Sequence, residues 1–195
     1  MPVDRYDPGR QPAGRAPAPG RLGLVQAFLN SFWDLDADGA ERWADPAAYA
    51  AWLGERGFGG APTRADLDRA LELREALRAL ALANHDDARA GHAEATLDRI
   101  AAHVAPHAGL TPRFASPSLD VAGYGPDAAL ALVLGIVLAA RLDGTWPRLK
   151  ACPGPHCGWA FYDRSRNRSS HWCSMRICGN RTKGARHRER TAARR

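Results

Sequence analysis

Residues 151–190 read ACPGPHCGWAFYDRSRNRSSHWCSMRICGNRTKGARHRER, and they hold all four cysteines of the 195-residue chain. Cys152 and Cys157 form one C-x4-C pair, Cys173 and Cys178 form a second, and fifteen residues separate the pairs. A tetrahedral zinc site needs four thiolate or imidazole ligands, with each sulfur about 2.3 Å from the metal. Each pair can close a chelating turn, and the interval is long enough for a hairpin that brings the two turns together. The first turn, CPGPHC, has the Pro and Gly content of a tight loop. Gly158 to Tyr162 then alternates like a strand that lays its aromatics over the site. The second pair falls where a helix would start, whose free amides favour thiolate charge. Four cysteines are the leading ligand set. His156 or His171 in place of one cysteine, an iron–sulfur centre, redox dithiols and plain unpaired cysteines are the alternatives that spacing leaves open. Four thiolates leave no open coordination position for an activated water, so the zinc reads as one structural ion. A unit this small buries too little apolar surface to fold without its metal.

Charge separates this stretch from the rest. The chain carries a formal +6, but Arg148 to Arg195 holds thirteen Lys or Arg against only Asp163 and Glu189. The remainder is therefore net acidic, and a polyanionic partner is expected for the tail alone. Hydrophobic residues make up 45% of the chain, enough for a real core. The N-terminus shows no apolar secretory segment, and the most apolar run, Ala128 to Ala140, is too short to span a bilayer. A cytoplasmic protein with no membrane association is expected, and in that reducing compartment paired cysteines read as metal ligands.

Residues 1–20, rich in Pro, Gly and Arg, read as a flexible leader. Residues 21–147 read as a helical domain. Leu22 to Trp33 is amphipathic, Asp45-Pro46 starts a helix carrying Tyr49, Trp52 and Leu53, and Thr63 with Asp66 caps a leucine-rich helix that ends near Asn84. A helix over 93–104 and two short strands around Phe114 and Leu119–Val121 come next. The helix from Pro126 to Leu142 is apolar most of the way round and so central. Residues 148–195 form the finger. The fold class predicted is mainly α, with a possible short β-hairpin in the body and a small treble-clef-like zinc finger of hairpin and basic helix. His85, His92, His103 and His107 form no catalytic constellation; the 103/107 pair has metal-binding spacing but Pro106 between its members, so non-ligating histidines and no enzyme are expected.

CGWAFYDRSRNRSSHWCSMRICGNR, 157–181, closely resembles the CGNR zinc-finger family, with Cys178-Gly179-Asn180-Arg181 as the tetrad of that name. Asn30-Ser31, DLDRALELREALRAL at 66–80, the apolar helix and GTWPRLKAC at 144–152 resemble the ABATE domain that precedes such fingers. The family pattern has a larger apolar residue where this chain has Ala160. The resemblance implies a stress-induced transcription regulator with structural zinc on Cys152, Cys157, Cys173 and Cys178, and DNA binding by the basic finger.

The residues suited to that contact are Arg164, Arg166, Asn167 and Arg168, followed by Arg181, Lys183, Arg186, Arg188 and Arg190. Arginine forks match phosphate oxygens and guanine edges, and Asn adds neutral donors. Lys183, Arg186 and Arg190 share a face at helical spacing. Double-stranded DNA is the expected partner, with a homodimer and an unidentified effector as further expectations. RNA, a protein partner for the cationic tail and solvation alone are the alternatives. A different class of function is a helical body that binds or turns over a small molecule, for which the histidines and Asn30-Ser31 are the only hints.

Overall fold

The computed structural model describes residues 4–33, 40–86, 90–113 and 118–192. Its helices are α1 (Leu22–Leu29), α2 (Pro46–Glu55), α3 (Arg64–Ala83), α4 (Gly91–Val104), α5 (Pro126–Leu142) and α6 (Asn180–Ala192). Three antiparallel hairpins join them: β1 (Phe32–Trp33) with β2 (Ala40–Glu41), β3 (Leu110–Arg113) with β4 (Ser118–Val121), and β5 (Leu149–Ala151) with β6 (Ala160–Tyr162). The chain is thus mainly helical, with the hairpin of the body and the finger order of hairpin and helix as expected. Phe114, expected in a strand, lies outside the described residues.

Local chemistry sets the helix starts. Asp45 accepts a hydrogen bond from the Ala48 amide, with Pro46 in the first turn. Thr63 and Asp66 form a full capping box, each side chain taking the other's backbone amide. The amphipathic segment expected over 22–33 splits: α1 stops at Leu29, and Phe32–Trp33 turns into β1. The chain leaves helical geometry at the C-cap Asn30 (φ −84°, ψ 12°), whose side chain binds the Ala160 backbone.

The helices α1, α3 and α5 bury one continuous apolar core, in which Tyr49 and Trp52 of α2 join Phe28 of α1 and Trp43 in an aromatic group. Leu149, Ala151, Ala160 and Tyr162 from β5 and β6 belong to this same core. The alternate residues Trp159 and Phe161 point the other way, into a second cluster with the four cysteines, Trp172 and Ile177. The period-two alternation of a strand therefore places one face of the β5–β6 hairpin in the helical body and the other against the cysteines. Among the described residues no helix is long and apolar enough to cross a membrane.

Residues 4–20, read from composition as a flexible leader, are laid against the body and the finger. Gln11 and Ala18 are buried, and Gln26 of α1 holds both, accepting from the Ala18 amide at 2.7 Å and donating to Gln11 at 2.8 Å. Composition missed this because the docking is carried by polar side chains rather than by apolar area.

Candidate metal centre and nucleic-acid interface

The CPGPHC segment forms the turn of the β5–β6 hairpin, and the Cys152 amide donates to the Trp159 carbonyl at 2.9 Å to extend the ladder. The second pair enters a wide turn of π geometry, Met175–Gly179, which runs into α6. Ser174 opens that turn, its hydroxyl accepting from the Ile177 amide. All four cysteines are buried, and their sulfur atoms lie within 4.8 Å of one another. Cys157 to Cys173 and Cys173 to Cys178 are both 3.6 Å between sulfurs. A tetrahedron with 2.3 Å zinc–sulfur bonds has edges of about 3.8 Å, so the four sulfurs fit one zinc ion. His156 and His171 are exposed and take no part in the cluster.

The electrostatics favour a cation. Hydrogen bonds from Cys157 and then Cys173 hold the Cys152 thiol far below its ordinary value, as the thiolate. That same thiolate pushes the Cys157 and Cys173 thiols up, and burial pushes Cys178 up. A divalent ion would supply the positive charge that lets all four sulfurs ionise together. Close approach is handled at Gly154: a Cβ there would stand 3.4 Å from the sulfurs of Cys152 and Cys178. Gly179 of the CGNR tetrad is tight for another reason, since a Cβ would meet the Met175 sulfur at 2.4 Å and Trp172 at 3.2 Å. Trp172 is packing, as its half-buried place in the cysteine cluster shows.

Between the two cysteine pairs, residues 163–171 form a loop built on Asp163. This carboxylate is fully buried. One oxygen accepts from the Ser165 amide (2.9 Å) and hydroxyl (2.7 Å); the other accepts from the Ser170 amide (2.9 Å) and Lys150 Nζ (3.1 Å). Lys150, itself buried in β5, also donates to the Arg168 and Ser170 carbonyls. Arg148 ties the Asp163 and Ser165 carbonyls at 2.9 Å each. Burial opposes the charge on Asp163, but the hydrogen bonds from Ser165, Lys150 and Ser170 outweigh it and hold the carboxyl at about 2. Arg168 sits at φ 52°, a left-handed turn that the pinned carbonyl fixes. Arg166, Asn167 and Arg168 are exposed on this loop. Arg164 is exposed as well; its Nη2 donates to the Pro17 carbonyl at 2.9 Å and its guanidinium lies over the Tyr162 ring. Arg181, Lys183, Arg188 and Arg190 are exposed along α6, and Arg186 lies in the same helix.

The finger is keyed to the body by side chains that sequence reading gave other roles or none. Asn30 acts as a short strand: its Nδ2 donates to the Ala160 carbonyl at 3.0 Å, and its Oδ1 accepts from the Ala160 amide at 2.7 Å. Gln26 donates to the same carbonyl at 3.1 Å. Ala160 has no exposed surface beneath these two amides. Ser31 accepts from the buried Arg74 and donates to the Phe28 carbonyl. Of the Asn30-Ser31 pair, a hint of a ligand site in the sequence, Asn30 thus docks the finger and Ser31 ties α1 to α3 within the body. Arg78 donates to the Gly158 carbonyl, Asn84 to the Trp146 and Leu149 carbonyls, and His85 Nε2 to the Ala151 carbonyl at 2.7 Å. His92, His103 and His107 are exposed, and the 103 and 107 rings are 6.4 Å apart. Asp163 had a signal in the sequence, as one of only two acidic residues after Arg148. Asn30 stood out without its role, and Lys150 and Gln26 had no signal, because their partners are backbone groups or lie far along the chain.

Residues 148–191 match the CGNR zinc finger. Residues 22–144 match the ABATE family, whose description reads "Putative stress-induced transcription regulator". The chain belongs to the ABATE family, with a CGNR finger at its C-terminal side. No curated protein matches the chain. In this ABATE–CGNR chain, the two matched segments are the body and the finger that Asn30, Gln26, Arg78, Asn84 and His85 hold together.

Proposed function

We propose that the protein is a DNA-binding transcription regulator of the cytoplasm, in which structural zinc holds a basic finger against double-stranded DNA. The observation that carries the reading is the loop over 163–171: a buried aspartate and a buried lysine fix its backbone, and it presents Arg166, Asn167 and Arg168 to solvent. A loop already held in shape loses little entropy on binding. Arginine forks and an asparagine amide match base edges and phosphates, while Lys183 and Arg188 on α6 extend the cationic surface. The family description as a transcription regulator points the same way. Arg164 is exposed beside Arg166, Asn167 and Arg168, its guanidinium also bonded to the Pro17 carbonyl. A role without catalysis is supported by the closed four-sulfur set, which leaves zinc no open position for water.

The test is titration with duplex DNA at several salt concentrations. Each neutralised phosphate contributes about 0.9 to the slope of log affinity against log salt. Parent protein should show a steep slope, and Arg166→Ala with Arg168→Ala should reduce it by about two. Binding that is weak and indifferent to salt would sink the proposal. Tighter binding to single-stranded RNA of the same length would move the partner class.

A further inference from the structure

Residues 4–20 precede both matched segments, yet one of them reaches the metal centre. Arg15 Nε donates to the Cys173 carbonyl at 3.1 Å, Nη2 to the Trp172 carbonyl at 3.0 Å, and Nη1 to the Tyr162 carbonyl at 3.3 Å. Its guanidinium carbon also stands 4.6 Å from the centre of the Phe161 ring. Tyr162 ends β6, the strand that follows the first cysteine pair, whereas Trp172 and Cys173 open the second pair. One planar cation therefore bridges the two halves of the cluster across the neck of the loop over 163–171. Asp163 closes that neck from inside by accepting from the Ser170 amide.

The contact suits arginine in particular. Three carbonyls pointing at one place repel each other unless a donor with several fixed N–H groups lies among them, and guanidinium has five in a rigid plane that can also stack on a ring. The segment bearing Arg15 is anchored on both sides. Gln11 accepts from Trp159 Nε1 at 3.1 Å and from Gln26 at 2.8 Å, while the Pro17 carbonyl accepts from Arg164. Groups that orient metal ligands from behind commonly change metal affinity by about 10–100-fold when removed.

We propose that Arg15 is a positioning residue of the zinc centre: by binding the carbonyls of Tyr162, Trp172 and Cys173 it holds the second cysteine turn against the first and slows release of the metal. This rests on zinc binding and is independent of the nucleic-acid reading. The experiment uses the zinc-loaded full chain mixed with excess chromogenic chelator, comparing parent, Arg15→Ala, Arg15→Lys and the exposed Arg10→Ala as a control for leader charge. Release from Arg15→Ala should be about tenfold faster or more. Arg15→Lys should fall close to Arg15→Ala, because an ammonium cannot meet three carbonyls and a ring together, and Arg10→Ala should match the parent. The order should persist in about 0.5 M salt, where loose charge effects are screened. Cobalt-loaded Arg15→Ala should keep a four-thiolate tetrahedral spectrum, showing faster release without loss of a ligand. Parent-like release from Arg15→Ala, or equally fast release from Arg10→Ala, overturns the proposal. If Arg15→Ala does not fold by circular dichroism, folded Arg15→Lys with parent-like release overturns it instead.

Discussion

Asn30 shows how a single side chain can stand in for a strand. Its amide takes both backbone groups of Ala160 in a buried position; truncation leaves the Ala160 amide without an acceptor, while the carbonyl keeps its bond from Gln26. Asn30→Ala should lower the unfolding free energy of the zinc-loaded protein by about 1–3 kcal/mol in urea titration, the range for one buried unsatisfied group. Asn30→Asp should lose at least as much, since a carboxylate faces the Ala160 carbonyl with no donor. A second residue with large leverage is Asp163. Asp163→Asn should cost about 3 kcal/mol, because Lys150 is left as a buried charge without its counter-ion. The folded carboxyl titrates at about 2, below its ordinary 3.8. The charge therefore stabilises fully above the unfolded value and the effect is lost as pH falls through the folded one. The penalty of Asp163→Asn, measured as the difference in unfolding free energy from the parent, should stay flat from about pH 8 to pH 5 and shrink below about pH 4.

At the scale of elements, the loop over 163–171 and helix α6 carry charge in different ways. The loop is fixed by Asp163, Lys150 and Arg148, so its arginines are presented in one geometry. The helix is anchored at its start, through the turn that holds Cys178. Neutralising Lys183 and Arg188 together should weaken duplex binding evenly across sequences, whereas Asn167→Ala should reduce discrimination between sites with little change in salt slope. Competition between a preferred and a scrambled duplex separates the two. Much of this level was legible. The capped starts at Asp45 and Thr63, the apolar helix from Pro126 to Leu142 and the two cysteine turns all follow from short-range chemistry. Strand β5 was not, because Lys150 looks like a surface residue until Asp163, thirteen positions on, is known to face it.

For the whole molecule, the finger and the helical body share their middle layer. Ala160 and Tyr162 are in the body's core, and Phe161, between them along β6, is in the cysteine cluster. Removing zinc should therefore lower the melting temperature of the entire chain in a single calorimetric transition, not in a separate small one. Truncation after residue 147 should abolish a cooperative transition in the body, since Asn30, Gln26, Arg78 and His85 lose the backbone groups they hold. Compositional contrast at Arg148 suggested two units, and the Pro, Gly and Arg content of residues 1–20 a loose leader. That contrast reports where charge sits, and the contacts that join the parts are long-range side chain to backbone bonds that leave no periodic trace.

The strap formed by residues 4–20 has a consequence for the order in which the protein assembles. Arg15 binds carbonyls of Tyr162, Trp172 and Cys173, 147 to 158 positions further on. During synthesis the N-terminal segment is made first and docks last, because its acceptors do not exist until the second cysteine turn has left the ribosome. Contacts of such separation form late and slowly. A purification tag fused at either end would therefore act on one and the same late step, the closing of the N-terminal segment over the metal-loaded C-terminal one.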